Sequence, residues 1–266
     1  MPRALELIGG FVTAPSTTLT AVTMMAGNTL QVRNSAPDKP VALIGAWARN
    51  QGAGVLRIRS PSLHDNVQGM RFGAVVNKPR QLVAIPAKQS LKPQDLLTVE
   101  LSGSATAGDI EQAFLLTYYD DLPGIEGRFL TAEEFYGLNC VLTTIENTLA
   151  LGTGGGWSGE EALNAEYSLL RANTDYALLG YQVSVNCGAV RWRGTDFGNL
   201  GVGGPGDAEN AQLTNRWFVD LATATGLALI PIINSANLSS VLIDGATDEN
   251  GTDVIVWSIL AQLPAA

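Results

Sequence analysis

The chain has 266 residues, 46% of them hydrophobic and 15% charged, with a net charge of −9 and a single histidine. That length supports one large or two medium domains with a sizeable core, and that hydrophobicity excludes general disorder. No run approaches the ~20 apolar residues of a membrane-spanning helix, and an acidic chain without a Lys/Arg cluster lacks the footprint of nucleic-acid binding.

The opening MPRALELIGGFVTAPS carries Glu6 and two glycines in place of an apolar block, so no cleaved secretory signal is expected and the chain reads as cytoplasmic. Between residues 17 and 120, short apolar or alternating runs predict eight strands: TTLTAVTMM (17–25), TLQVR (29–33), VALIGAWAR (41–49), VLRIR (55–59), MRFGAVV (70–76), QLVAIP (81–86), DLLTVELS (95–102) and EQAFLLTYY (111–119). Gly, Pro and Asn clusters separate them. Regular strand spacing without helical periods indicates an antiparallel sandwich and not a βαβ sheet.

Residues 125–138 read as an exposed linker with a short helix: IEGR (125–128) precedes Thr131-Ala-Glu-Glu134, a capping box. A second set of strands follows: NTLALG (147–152), AEYSLLRA (165–172), YALLGYQVSV (176–185), AVRWR (189–193), one near Arg216 to Asp220, LALIPI (227–232), SSVLID (239–244) and DVIVWSIL (253–260). Two further helices are expected, one from the capping box Ser158-Gly-Glu-Glu161 and one over Asp207 to Arg216 with Asp207 as its cap.

The two sets repeat one another. Leu43-Ile44-Gly45 matches Leu178-Leu179-Gly180 at an offset of 135, and Gly54, Arg57 and Arg59 match Gly188, Arg191 and Arg193 at 134. QLVAIP matches GLALIP at 145, and AFLLTYYDDLP matches VIVWSILAQLP at 141. Four ordered blocks indicate a duplicated domain. The fold class is therefore all-β, two tandem eight-stranded antiparallel jelly rolls with a few short connecting helices: residues 1–124, the linker 125–138, and residues 139–266. Charge divides along the same line, with 12 Lys+Arg against 10 Asp+Glu in residues 1–129 and 4 against 15 in residues 130–266.

Motifs that could carry chemistry have plainer readings. His64-Asp65 is half a catalytic dyad with no second histidine, and bicupin-type metal chemistry needs several histidines per barrel. Gly201-Val-Gly-Gly-Pro-Gly206 matches a dinucleotide fingerprint in letters but lacks the parallel βαβ unit and reads as a flexible connection. Gly152–Gly156 lacks the Lys-Ser/Thr of a phosphate loop. Of the paired acids, Glu133-Glu134 and Glu160-Glu161 serve capping, and Asp120-Asp121 in a turn is the one candidate for a bound cation. Cys140 and Cys187 form no Cys-x-x-Cys pair and read as buried thiols. The sequons at Asn237 and Asn250 read as idle. Arg57/Arg59 and Arg191/Arg193 alternate with apolar residues and read as the solvent face of strands. No catalytic, cofactor or metal site is assigned.

In its paired jelly rolls the chain resembles the double jelly-roll major capsid proteins of icosahedral viruses, the tectivirus, corticovirus and adenovirus lineage, over residues 15–264. The resemblance rests on architecture and carries no diagnostic motif. It implies a structural coat subunit, not an enzyme, located in the virion and assembled in the host cytoplasm. Its partners would be two further copies in a pseudo-hexagonal homotrimer, then the shell, with penton or minor capsid proteins besides. The low charged fraction, below the ~25% of ordinary domains, fits a surface covered by neighbours. Two alternatives are a tandem jelly-roll carbohydrate-binding module, though Trp47, Trp157, Trp192, Trp217 and Trp257 are scattered along the chain, and a phage tail or filament subunit.

Overall fold

The structure, a computed structural model, describes residues 3–14, 16–36, 39, 41–62, 67–76, 79, 83–84, 90–166, 169–248 and 250–264. The first copy holds β1 (Ala4–Thr13), β2 (Thr20–Ala21), β3 (Thr23–Met24), β4 (Val41–Arg49), β5 (Gly54–Arg59), β6 (Met70–Ala74), β7 (Val83–Ala84), β8 (Ser90–Leu91), β9 (Thr98–Ser102) and β10 (Ile110–Tyr119). After it come β11 (Phe129–Leu130) and α1 (Ala132–Tyr136). The second copy holds β12 (Val141–Leu149), β13 (Trp157–Ala162), β14 (Asp175–Val183), β15 (Cys187–Arg193), β16 (Gly201–Gly206), α2 (Ala211–Thr214), α3 (Trp217–Thr225), β17 (Ile230–Asn234), β18 (Leu242–Ala246) and β19 (Val254–Gln262).

The strands form four antiparallel sheets. In the first copy β3-β1-β10-β4-β7, with β8 also on β4, faces β2-β9-β5-β6; in the second β11-β17-β14-β19-β12 faces β13-β18-β15-β16. Set aside the short β3, β8 and β11, and each copy has eight strands in the order 1-8-3-6 in one sheet and 2-7-4-5 in the other. That is the jelly-roll order, written twice. We refer to the 1-8-3-6 sheet as the broad sheet of each roll and to the other as its narrow sheet.

The repeat extends to irregularities. Between β4 and β10 the register skips Ile44, from Leu116–Gly45 to Thr117–Leu43; between β14 and β19 it skips Leu179, from Ile259–Gly180 to Leu260–Leu178. Both copies thus carry a bulge at one position, 135 residues apart. The bulge inverts the side-chain parity of β4: Val41 and Leu43, then Ala46 and Ala48, point into the first roll, while Ala42, Ile44 and Trp47 point away from it. The same registers set the last block at an offset of 143 and not 141, since Leu116 opposes Gly45 as Ile259 opposes Gly180. The shift is even, so the facing of every side chain in that alignment holds.

Several local expectations are corrected. β1 was not among the predicted strands; its ALELIGGFVT shows no alternation because both faces are buried. TLQVR forms only a bridge from Gln31 to Leu96, and no strand runs over the described part of AEYSLLRA. The strand expected near Arg216 to Asp220 is helix α3, buried through Trp217, Phe218, Leu221 and Ala222 at helical spacing and closed by Gly226 at φ 69°. The helix expected over Asp207 to Arg216 shrinks to α2, whose cap position is Asn210, without a side-chain bond. Ser158-Gly-Glu-Glu161 is part of β13, where pairing with β18 overrides the local cap signal. Thr131–Glu134 does form the capping box of α1. Gly201–Gly206 is strand β16 and no loop. Among the described residues no helix is long and apolar enough to cross a membrane.

Candidate assembly surface

The two rolls stack sheet on sheet. The outer face of the first roll's broad sheet (β1, β10, β4) lies against the outer face of the second roll's narrow sheet (β15, β16), so β4 and β10 are buried along their whole length. One apolar cluster consequently joins Leu5, Leu7, Trp47, Phe114 and Leu116 to the interior of the second roll. Trp47 is central: its ring stacks on Phe114 at 5.4 Å, meets Trp217 edge-on at 6.1 Å, and its Nε1 donates to the Gly188 carbonyl at 3.0 Å. Around it Gln112 Nε2 donates to the Thr247 carbonyl at 2.5 Å, Arg49 pairs with Asp248 at 2.7 Å, and Trp157 Nε1 donates to Asn28 Oδ1 at 3.0 Å.

The glycines of β16 make this approach possible. A Cβ on Gly203 would lie 2.1 Å from the Val190 carbonyl oxygen and 2.7 Å from Leu7 Cδ2; one on Gly204 would lie 2.4 Å from the Tyr181 hydroxyl on the opposite face. β16 is a bare backbone layer between β1 and the second core, which is why a glycine run forms a strand here.

Each narrow sheet carries on its outer face a carboxylate clamped by two arginines. Glu100 accepts from Arg57 Nε at 2.6 Å and Arg59 Nε at 3.0 Å; Asp244 accepts from Arg191 NH2 at 2.6 Å and Arg193 Nε at 3.2 Å. The arginines of Arg57 and Arg59 hold Glu100 below the usual carboxylate range against the opposing effect of burial. Arg191 departs from its expected solvent-facing role: it is 5% exposed, roofed by the first roll, with its guanidinium 4.0 Å above the Trp157 ring. The equivalent face of the first roll is open and carries Arg57, Arg59 and the exposed Arg71 against the single Glu100.

At the other end of the molecule the outer face of the second roll's broad sheet is uncovered over β12 and β19, whereas toward β14 Ala177, Leu179 and Ala261 are buried and α2 and α3 pack on β14. Leu142 is 64% exposed, and Thr144, Gln182, Trp257 and Ile259 line a shallow cavity of about 240 Å³. Trp257 is half-buried and donates from Nε1 to the exposed Glu146 at 2.6 Å. The registers place Trp257 where Phe114 stands in the first roll: Phe114 opposes Trp47 and Gly9, and Trp257 opposes Gln182 and Glu146. Ile259 likewise corresponds to Leu116, and Leu142 to Leu5.

The residues weighed earlier for chemistry are not gathered into one site. His64 and Asp65 lie outside the described residues. Asp120 accepts from the Tyr118 hydroxyl at 3.1 Å, and among the described residues no cluster of three His, Cys, Asp or Glu could hold a metal. Glu133 and Glu134 lie in the first turn of α1, whereas Glu160 pairs with Arg193 from strand β13. Both cysteines are free; burial pushes the Cys187 thiol up to about 12 and raises Cys140, so neither is a ready thiolate. A cleft of about 560 Å³ beside Asp175 is lined by Arg171, Asn173, Asn234 and Gln262 and, among the described residues, by no aromatic side chain, and Asp175 is already engaged by Arg128 and Asn234. Trp47, Trp192 and Trp217 are fully buried and Trp157 is engaged between the rolls by Asn28, Phe114 and Arg191, which leaves Trp257 as the tryptophan on an open sheet face.

The sequence alone pointed to neither open face. What could have pointed to Trp257 is its alignment with Phe114, which needs the offset of 143 read from the strand registers.

No family model and no curated protein matches the chain. Among solved structures, the major capsid protein P2 of bacteriophage PM2 aligns over 99% of this chain and 98% of its own, at 8% identity and a TM-score of 0.21. The infectious bursal disease virus VP2 subviral particle aligns over 98% of this chain and 71% of its own, at 12% identity and a TM-score of 0.17. The chain is similar to both in extent, and at those scores the likeness adds no weight to the reading that the strand order supports.

Proposed function

We propose that the chain is a structural coat protein, a major capsid subunit that forms pseudo-hexagonal trimers and tiles an icosahedral virion. The observation that carries this reading is the duplicated jelly roll, with one strand order, one bulge and one arginine-clamped acid in each copy, stacked sheet to sheet. Three copies of such a chain supply six similar rolls, so a true three-fold assembly has a nearly six-fold outline and packs against its neighbours on every side. Many modest lateral contacts then sum to a stable shell through multivalency.

A carbohydrate-binding module would instead set several aromatic side chains along one groove. Here three of five tryptophans are in cores, and among the described residues the 560 Å³ cleft has no aromatic lining. A tail or filament subunit would use the same faces with a rotation that does not close.

Negative-stain microscopy and sedimentation of the purified chain test the proposal. Triangular plates or closed shells are expected; helical fibres favour the filament reading, and a monodisperse monomer at all concentrations refutes both.

A further inference from the structure

We propose that the open sheet face of the second roll, centred on Trp257 and Ile259, is docked by a second copy of this chain through the outer face of its first roll's narrow sheet, with Arg71 of one copy set against Glu146 of the other. The proposal rests on the coat reading in one respect, that copies associate at all; which surfaces meet follows from contacts inside one chain.

The chain already shows how one roll covers the next. Within the molecule the broad-sheet face bearing Leu5, Leu7, Phe114 and Leu116 is covered by the narrow-sheet face bearing Arg191, Asp244 and Gly203. By register, the uncovered face bearing Leu142, Thr144, Trp257 and Ile259 is the second roll's version of the former. The uncovered face bearing Arg57, Glu100 and Arg71 is the first roll's version of the latter, because Arg57 opposes Glu100 and Arg71 as Arg191 opposes Asp244 and Gly203. One unfilled socket and one unused plug therefore stand at opposite ends of a molecule that has already joined the other pair.

Charge selects the same pairing. The plug carries three arginines against one glutamate, while the described strands of the socket, β12, β14 and β19, carry Glu146 at their centre and no Lys or Arg. A plug-to-plug contact would bring arginines together; plug to socket brings opposite signs together and fixes a head-to-tail, heterologous contact. The differences between the copies also fit. Inside the chain Leu7 lies on Gly203 with no room for a Cβ; between copies the corresponding residues are Thr144 and Arg71, a polar residue facing a long cation. The contact between copies is thus wider and more polar than the one within, and its strength falls as salt rises.

The test uses the full chain with Cys140→Ser to remove the half-exposed native thiol. Thr144→Cys and Arg71→Cys are made separately and mixed under mild oxidation. Disulfide-linked dimers are expected in the mixture and not in either variant alone; the double variant is expected to give higher species. In parallel, Arg71→Glu and Glu146→Arg are each expected to weaken association about tenfold or more, and the combined swap to recover it, which a folding defect would not do. Sedimentation of the unmodified chain separates the two readings. Oligomers without these cross-links and without charge rescue overturn the face assignment and leave the coat reading standing. A chain that stays monomeric at every concentration and at low salt overturns both.

Discussion

Gly203 and Arg71 hold one position in the two rolls and serve opposite ends. At Gly203 any side chain drives into the Val190 carbonyl oxygen and Leu7, so Gly203→Ala is expected to lower stability by roughly 1–3 kcal/mol through overpacking, read from the urea unfolding midpoint. Glu100 gives a pH signature. Arg57 and Arg59 depress its folded-state value below the ordinary 4.5, so the stabilisation is present above that value and is lost as pH falls through and below it. Thermal unfolding of Glu100→Gln should therefore differ from the parent near neutrality and converge with it in acid; a constant difference across the range would show that the charge is irrelevant. The arginine pairs were legible as a non-core face, from their alternation with Leu56, Ile58, Val190 and Trp192. Their clamped acids were not, because Glu100 lies 43 residues from Arg57 and Asp244 lies 53 from Arg191.

Among the elements, the broad sheet of the first roll is held on both faces. Trp47 fills the space between Phe114 and Trp217, and Trp47→Ala is expected to cost about 3–5 kcal/mol, measured by chemical denaturation. In contrast Thr131→Ala removes one exposed cap and is expected to cost about 1 kcal/mol, with faster amide exchange confined to α1. Strands with a strong apolar run, such as β4 and β10, were readable to within a residue or two. Those that owe their conformation to what covers them were not: β1 shows no period because both sides are packed, and β16 reads as a loop until β1 is laid upon it. Ser158 shows the same limit, since a local cap signal lost to a strand pairing formed with residues more than 80 positions away.

For the whole molecule, a cluster that begins in the first roll and continues through the second implies that the rolls unfold together. Calorimetry is expected to show one transition with calorimetric and van't Hoff enthalpies in agreement; two resolved transitions would show that the rolls are stable independently. The duplication was visible in the sequence through Leu43-Ile44-Gly45 and the arginine pairs, but the stacking of the copies was not, because it depends on which outer faces are bare.

The position of β1 has a consequence for biosynthesis. Ala4 pairs with Tyr119, so β1, joined early only by the two-residue β3, waits more than 100 residues for its long neighbour β10, and its outer face waits for β16. At about 5–20 residues per second that is an interval of many seconds, during which most of a sticky ribbon is open to chaperones or other nascent chains. Productive yield in a heterologous host should therefore respond to translation speed and holdase supply more than to the stability of the finished fold.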